Sequence, residues 1–168
     1  MDNSTKAGGE ERHDSSLAYF KKHWQLYLSA IIVLSGFTIG YLSTNIEFPI
    51  LSNFLPELIP GIILRNLFIM AMIIIGGLVF SVISIPFAWA QAVYSGVGLH
   101  IVHGHLVFEV TGFWLALTIS LRLTTLEVQY LRGGTIDGKQ ETKTLLKYGV
   151  IMIGVVIFGA IMESLYGV

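Results

Sequence analysis

The chain has 168 residues, of which 54% are hydrophobic and 12% are charged, and its mean hydropathy is +0.72. One soluble domain of this size could not bury so much apolar surface, so the composition indicates an integral membrane protein. The formal net charge of −1 gives no reason to expect nucleic acid as a partner, and the lack of cysteine excludes disulfides, thiolate catalysis and zinc–sulfur sites.

The first 23 residues mix both signs of charge with glycine and serine and contain no long apolar run. This pattern predicts a flexible cytoplasmic tail over residues 1–23, rather than a cleaved signal peptide, and a transmembrane domain over residues 24–168. The last part of the tail, residues 16–24, could form a short interfacial helix.

Residues 24–43 carry no charge and have the length of one helical crossing. In this first span, Gly36 and Gly40 lie one turn apart, a spacing that allows another helix to approach closely but is weak evidence by itself. Residues 44–65 contain three prolines and two glutamates, so they are predicted to be a loop with short interfacial helices between spans one and two.

The next segment, residues 66–121, is a long apolar tract without a single lysine or arginine. Two spans would use only about 40 residues, so the tract fits three short ones. Helix breaks are predicted at Pro86 and in the glycine-rich stretch around Gly104. The resulting spans are residues 66–85, 87–99 and about 103–121. The middle span is short and is predicted to be tilted or re-entrant.

Charge sets the topology, because cytoplasmic segments are enriched in lysine and arginine. Residues 122–147 form a polar connection, and residues from about 145 to 166 form the last span. With five crossings, nine of the ten basic residues are cytoplasmic and only Arg65 lies outside. The sequence therefore predicts an all-α, polytopic helical bundle of five transmembrane helices in the cell membrane, with a cytoplasmic N-terminus and an external C-terminus. Arg122 is expected to reach the cytoplasmic headgroups.

One group of polar residues lies inside this predicted bundle. His105 and Glu109 are four residues apart and share a helix face, so they can interact directly. Glu163, near the end of the last span, and Asn66, at the start of the second, lie at the same outer level in the five-span topology. An acid within a membrane is a functional candidate by default, so these four residues are the predicted polar core.

Three interpretations of this polar core stay open. The residues can be hydrogen-bonded glue between helices, or a pathway or binding site for a proton, an ion or a polar peptide group. They can also form a metal-dependent hydrolase, in which zinc is bound by His105, Glu109 and one of His100, His103 or Glu163. On a continuous helix, His100 and His103 face away from the other two, and they could join them only if the chain bends at the glycine between. No other cofactor is predicted.

The run from His105 through Glu109 to Arg122 resembles the signature segment of the stage II sporulation protein M family. That segment has a His-Gly-x-x-Glu start and a small-residue helix that finishes near Leu-Arg-Leu, and the three residues named fall at matching positions without a gap. Leu64-Arg65-Asn66-Leu67 resembles the start of the family's second helix, and Ile161-Met-Glu163 resembles its acidic last helix. The resemblance covers about residues 64–166.

Membership of this family would imply a membrane scaffold or partner-binding subunit that assembles with other membrane or cell-envelope proteins. The founding member is associated with engulfment during endospore formation, but relatives occur in organisms that make no spores, so sporulation itself does not carry over. The alternatives are a transporter or exporter subunit with an intramembrane His–Glu site, and an intramembrane metal-dependent hydrolase. Expected partners are the lipid bilayer and either another protein or a second copy of the chain.

Overall fold

The computed structural model describes residues 7–43, 57, 59–98 and 106–166, and the elements within these residues are all helical. They are α1 (Ala7–Leu42), α2 (Ile59–Ile75), a 3₁₀ helix (Gly76–Val79), α3 (Ser84–Gly98), α4 (Leu106–Leu131) and α5 (Gly138–Tyr166). Four segments are long and apolar enough to cross a membrane: Tyr19–Leu42, Ile59–Val79, Leu106–Leu131 and Gly138–Ser164. The protein is therefore an all-α, membrane-embedded protein, and α3, with 15 residues, is the shortest of its α-helices.

Several helices are longer than predicted and extend into segments whose polar residues had indicated loops. α2 begins at Ile59, and Pro60 lies in its first turn, where a missing N–H costs no hydrogen bond. α4 continues past Arg122 to Leu131. α1 begins at Ala7 and has one non-helical residue, His23, at the predicted border between tail and membrane domain. The predicted interfacial helices fall largely on residues 44–56 and 58, outside the described residues.

The break between α2 and α3 lies before Pro86, not at it. The 3₁₀ helix Gly76–Val79 ends α2, and the chain then reverses at Phe80 and Ser81, whose φ angles are 54° and 55°. Pro86 lies in the first turn of α3, the place in a helix where proline is best tolerated. The prediction of a break at this proline was therefore wrong, because the proline marks the start of a helix.

Four buried or half-buried hydroxyls hold this break against α4. We call them the hydroxyl cluster: Ser81, Ser84, Ser120 and Thr124. The Ser84 hydroxyl donates to the carbonyl of Ile73 at 2.6 Å, and the Thr124 hydroxyl donates to the carbonyl of Gly77 at 2.9 Å. Ser120 donates to Ser84 at 2.7 Å, and the Ser81 and Thr124 hydroxyls lie 2.7 Å apart. Two carbonyls beside the helix break thereby accept hydrogen bonds from side chains.

Glycines allow α1 and α3 to touch backbone to backbone. A Cβ atom at Gly36 would lie 2.7 Å from the carbonyl oxygen of Trp89, and one at Gly40 would overlap the carbonyl of Val93. Gly96 on α3 is packed in the same way against α1. The spacing of the two α1 glycines thus marks a real close approach. The residue numbers of the contacts increase together, from Gly36 with Trp89 to Gly40 with Val93, so α1 and α3 are parallel.

The other contacts give the directions of α2 and α5 relative to α4. Arg65 of α2 meets Glu109 at the start of α4, and Gly77 packs on Ser120 further along, so α2 and α4 are parallel. Glu141, in the first turn of α5, pairs with Arg122, so α4 and α5 are antiparallel. Hereafter the upper end of the bundle is the end where α4 begins, and the lower end is that of the α4–α5 connection.

α4 is the central helix. Of its most apolar 18-residue window, 67% is buried, against 22–28% for the other three long segments. The Ser29 hydroxyl of α1 lies 2.7 Å from the Thr118 hydroxyl of α4, and the Gln25 amide of α1 donates to the Thr125 hydroxyl of α4 at 3.2 Å, so α1 and α4 are antiparallel. Neighbouring helices, rather than lipid, surround the middle of α4.

The glycine contact between α1 and α3 predicts a measurable defect. Gly40→Leu places a side chain where the Val93 backbone stands, so we expect the free energy of unfolding to fall by roughly 1–3 kcal/mol, the usual cost of overpacking. Gly154→Leu is the matched control, because a Cβ there meets nothing within 4 Å. Thermal unfolding in detergent compares them, and equal midpoints for the two variants would contradict the close contact.

Candidate functional site

Glu109 joins three helices at the upper end of the bundle. It lies in the first turn of α4, and its side chain is only 9% exposed. Arg65 Nη2 of α2 donates to Glu109 Oε1 at 3.2 Å, and the Ser95 hydroxyl of α3 donates to Oε2 at 3.2 Å. Both carboxylate oxygens therefore have partners from other helices, as a buried charge requires.

Arg65 is anchored on one side and open on the other. Its Nε lies 3.5 Å from Oδ1 of Asn66, which is buried, and its Nη2 holds Glu109. A guanidinium carries five N–H donors, so most remain unused by the described part of the chain. The Arg65 side chain is 57% exposed. The unused donors are thus available to a group outside the bundle.

Glu163 brings a second carboxylate from α5. The residue is only 7% exposed, and its Oε2 atom has no hydrogen-bond partner among the residues that the structure describes. Glu109 and Arg65 lie near enough to Glu163 for their charges to act on its carboxyl group. We call Arg65, Asn66, Ser95, Glu109 and Glu163 the polar site.

A cavity of about 240 Å³ opens beside the polar site. Its walls come from α2, α3 and α4 and include polar and apolar side chains: Arg65, Asn66, Ile69, Gln91, Tyr94, Ser95, Glu109 and Phe113. A larger cavity of about 320 Å³ between α1 and α4 is lined by apolar side chains and Thr111, so it has little to offer a polar ligand. The smaller cavity is large enough for a few waters, an ion or a small polar group.

The structure brings together three of the four residues predicted as the polar core: Asn66, Glu109 and Glu163. The fourth, His105, lies outside the described residues with His100, His103 and Gly104, so the His105–Glu109 pair and the zinc site stay predictions. Within the described ranges, no group of three histidine, cysteine, aspartate or glutamate side chains could hold a metal ion.

Two members of the polar site were missed in the sequence. Arg65 was placed outside the membrane as the one basic residue on that face, and its position beside Asn66 was the available signal. The sequence carried no comparable signal for Ser95, because a serine in a membrane helix has many possible partners. The bond from Arg65 to Glu109 joins residues 44 positions apart, which no local spacing could indicate.

Arg122, predicted to reach headgroups, is instead held within the protein. Its Nε donates to Oε2 of Glu141 at 2.6 Å and its Nη2 to Oε1 at 2.9 Å, and its side chain is only 13% exposed. Such a two-point ion pair fixes geometry as well as charge. Arg122 therefore ties α4 to the start of α5 at the lower end of the bundle.

The unequal exposure of Arg65 and Glu109 predicts unequal costs for removing them. Arg65→Gln leaves a buried carboxylate without its cation, so we expect the free energy of unfolding to fall by about 1–3 kcal/mol. Glu109→Gln leaves an exposed arginine that headgroups can solvate, so the loss should be smaller. The double variant should lose less than the sum of the two. Denaturant titration in micelles measures all three, and a greater loss for Glu109→Gln would contradict this assignment.

Glu163 should respond in the opposite way. Glu163→Gln keeps the shape of the side chain and removes a buried charge that has no partner at Oε2. We expect the thermal midpoint to stay the same or to rise, whereas Glu109→Gln lowers it. A larger drop for Glu163→Gln than for Glu109→Gln would mean that an ionised Glu163 is bound by another group.

Comparisons of the chain with protein-family models, with curated proteins and with solved structures find no match. The resemblance to the stage II sporulation protein M family therefore stays an expectation based on the segment from His105 to Arg122. The polar site, with its buried acids and its half-exposed arginine, is the feature of the molecule that bears most directly on function.

Proposed function

We propose that the chain is a membrane subunit of five membrane-embedded helices without catalysis of its own, which binds a partner protein through the polar site. In this proposal the upper end faces the outside of the cell, the N-terminus is cytoplasmic and the C-terminus is external. This scaffold role is also the one that the resemblance to the stage II sporulation protein M family implies.

Helix directions support the placement of the N-terminus and the C-terminus on opposite sides of the membrane. α1, α3 and α5 run one way, and α2 and α4 run the other, as the contacts along α4 require. This arrangement puts the α1 start and the α4–α5 connection at the same end, where nine of the ten basic residues then lie. Such an excess of lysine and arginine is typical of the cytoplasmic face.

The single observation that carries the proposal is the state of Arg65. The buried carboxylate of Glu109 pairs with this arginine, while more than half of the arginine side chain is exposed at the surface of the bundle. Arginine is enriched at protein interfaces because its donors bind carboxylates and carbonyls with fixed geometry. Leu64 and Phe68, on either side of it on α2, are 72% and 65% exposed and provide an apolar surround.

A transporter or exporter subunit is the second candidate, and the cavity beside the polar site favours it. A space of about 240 Å³ lined by both members of the Arg65–Glu109 ion pair can hold an ion or a small polar group. In this case Glu109 binds the cargo, and Arg65 limits its charge. The metal-dependent hydrolase stays a prediction that depends on His100, His103 and His105.

Site-directed photocross-linking in native membranes tests the partner. A benzophenone amino acid at Leu64 or at Phe68 should cross-link a protein. Arg65→Gln should reduce that product about tenfold, the effect of losing one charge-assisted hydrogen bond worth about 1.5 kcal/mol or more. Val150, 61% exposed on α5, is the control position, where Arg65→Gln should change nothing.

Each outcome decides between the candidates. A product of twice the chain's mass would identify the partner as a second copy. Protein cross-links that are insensitive to Arg65→Gln would refute binding through the polar site. Cross-links to lipid alone, together with an ion flux in proteoliposomes that Glu109→Gln abolishes, would favour the transport subunit.

A further inference from the structure

The turn between α2 and α3, residues 76–83, has its apolar side chains on the outside. The exposed side chains in it are all apolar, with 49–71% of each accessible: Leu78, Val79, Phe80, Val82 and Ile83. Its buried residues are two glycines and Ser81. A turn in water has the opposite distribution, because loops that meet water are polar.

Several backbone groups in and beside the turn are hydrogen-bonded within the protein. The carbonyls of Ile73 and Gly77 accept hydrogen bonds from hydroxyls of the hydroxyl cluster. The N–H of Val82 donates to the carbonyl of Val79 at 3.2 Å across the reversal. Irregular backbone that is satisfied from within is what a hydrocarbon environment demands, since no water is present there.

The turn also ends short of the lower end of the bundle. Ser81 lies level with Ser120 and Thr124 of α4. From there α4 continues for seven residues to Leu131, about 10 Å at 1.5 Å per residue. The turn is therefore recessed behind the exposed α4–α5 connection, which carries Arg132 and Asp137.

We propose that the turn of residues 76–83 lies in the acyl-chain region of the lipid leaflet at the lower end and does not emerge into water. α2 and α3 then form a hairpin that both enters and leaves the membrane at the upper end. Its exposed side chains contact lipid tails and anchor the turn by hydrophobic burial. This inference does not depend on partner binding by the polar site.

Two-quencher fluorescence on single cysteines tests the position of the turn, and the chain has no natural cysteine to remove. A small fluorophore is attached at Leu78→Cys or Val82→Cys, both at outward-facing positions. Ile136→Cys in the α4–α5 connection is the water-exposed control, with 36% of the native side chain accessible. Each labelled protein is incorporated into lipid nanodiscs and exposed either to aqueous iodide or to lipids with a nitroxide on the acyl chain.

Quenching by the acyl-chain nitroxide should be several-fold stronger at 78 and 82 than at 136, and quenching by iodide should be several-fold weaker. Thermal unfolding of each labelled protein identifies any that has lost its fold, and the two turn positions report independently. Iodide quenching at 78 and 82 equal to that at 136 would place the turn in water. Protection from both quenchers would mean that protein covers the turn. Either result overturns the proposal.

Discussion

A hydrocarbon core offers no hydrogen-bond partner, so every polar group inside it has to be satisfied within the chain. In this bundle that requirement falls mainly on α4, which carries Glu109, Thr118, Ser120 and Thr124 among its apolar residues. Each of them bonds to a different helix or to the turn after α2. The other helices gather around α4 for this reason, and their remaining faces are left apolar for lipid.

The polar residues in the two halves of α4 differ in kind. The hydroxyl cluster in the lower half is neutral, and its hydroxyls bond to one another and to two backbone carbonyls, so it holds the helix break in place. The polar site at the upper end is charged and incomplete, because among the residues that the structure describes Glu163 Oε2 lacks a partner and Arg65 keeps unused donors. A satisfied network serves the fold, whereas an unsatisfied one next to a cavity leaves room for a ligand or a partner.

Hydropathy alone predicted an all-α membrane protein. Asn66, Glu109 and Glu163 were predicted as site residues because the predicted topology placed them at one level and because a charge within a membrane is costly. The position of the break between α2 and α3, before Pro86 rather than at it, could not be predicted, because it depends on two non-glycine residues with positive φ that distant hydroxyls support. Helix ends were misjudged where a charge is paired inside the bundle, as at Arg122. Arg65 was missed as a site residue for the same reason: a charge whose partner is remote in sequence looks like a surface charge.

The burial of α4 has a consequence for how the protein is made. Its mean hydropathy, 1.5, is the lowest of the four long segments, and it is the fourth α-helix in chain order. α1, α2 and α3 precede α4 in the chain, so the residues that bind its hydroxyls and Glu109 are synthesised before it. This order allows α4 to enter protein contacts as soon as it is inserted, and α5 to close the remaining side. The order of the helices along the chain is also a workable order of assembly.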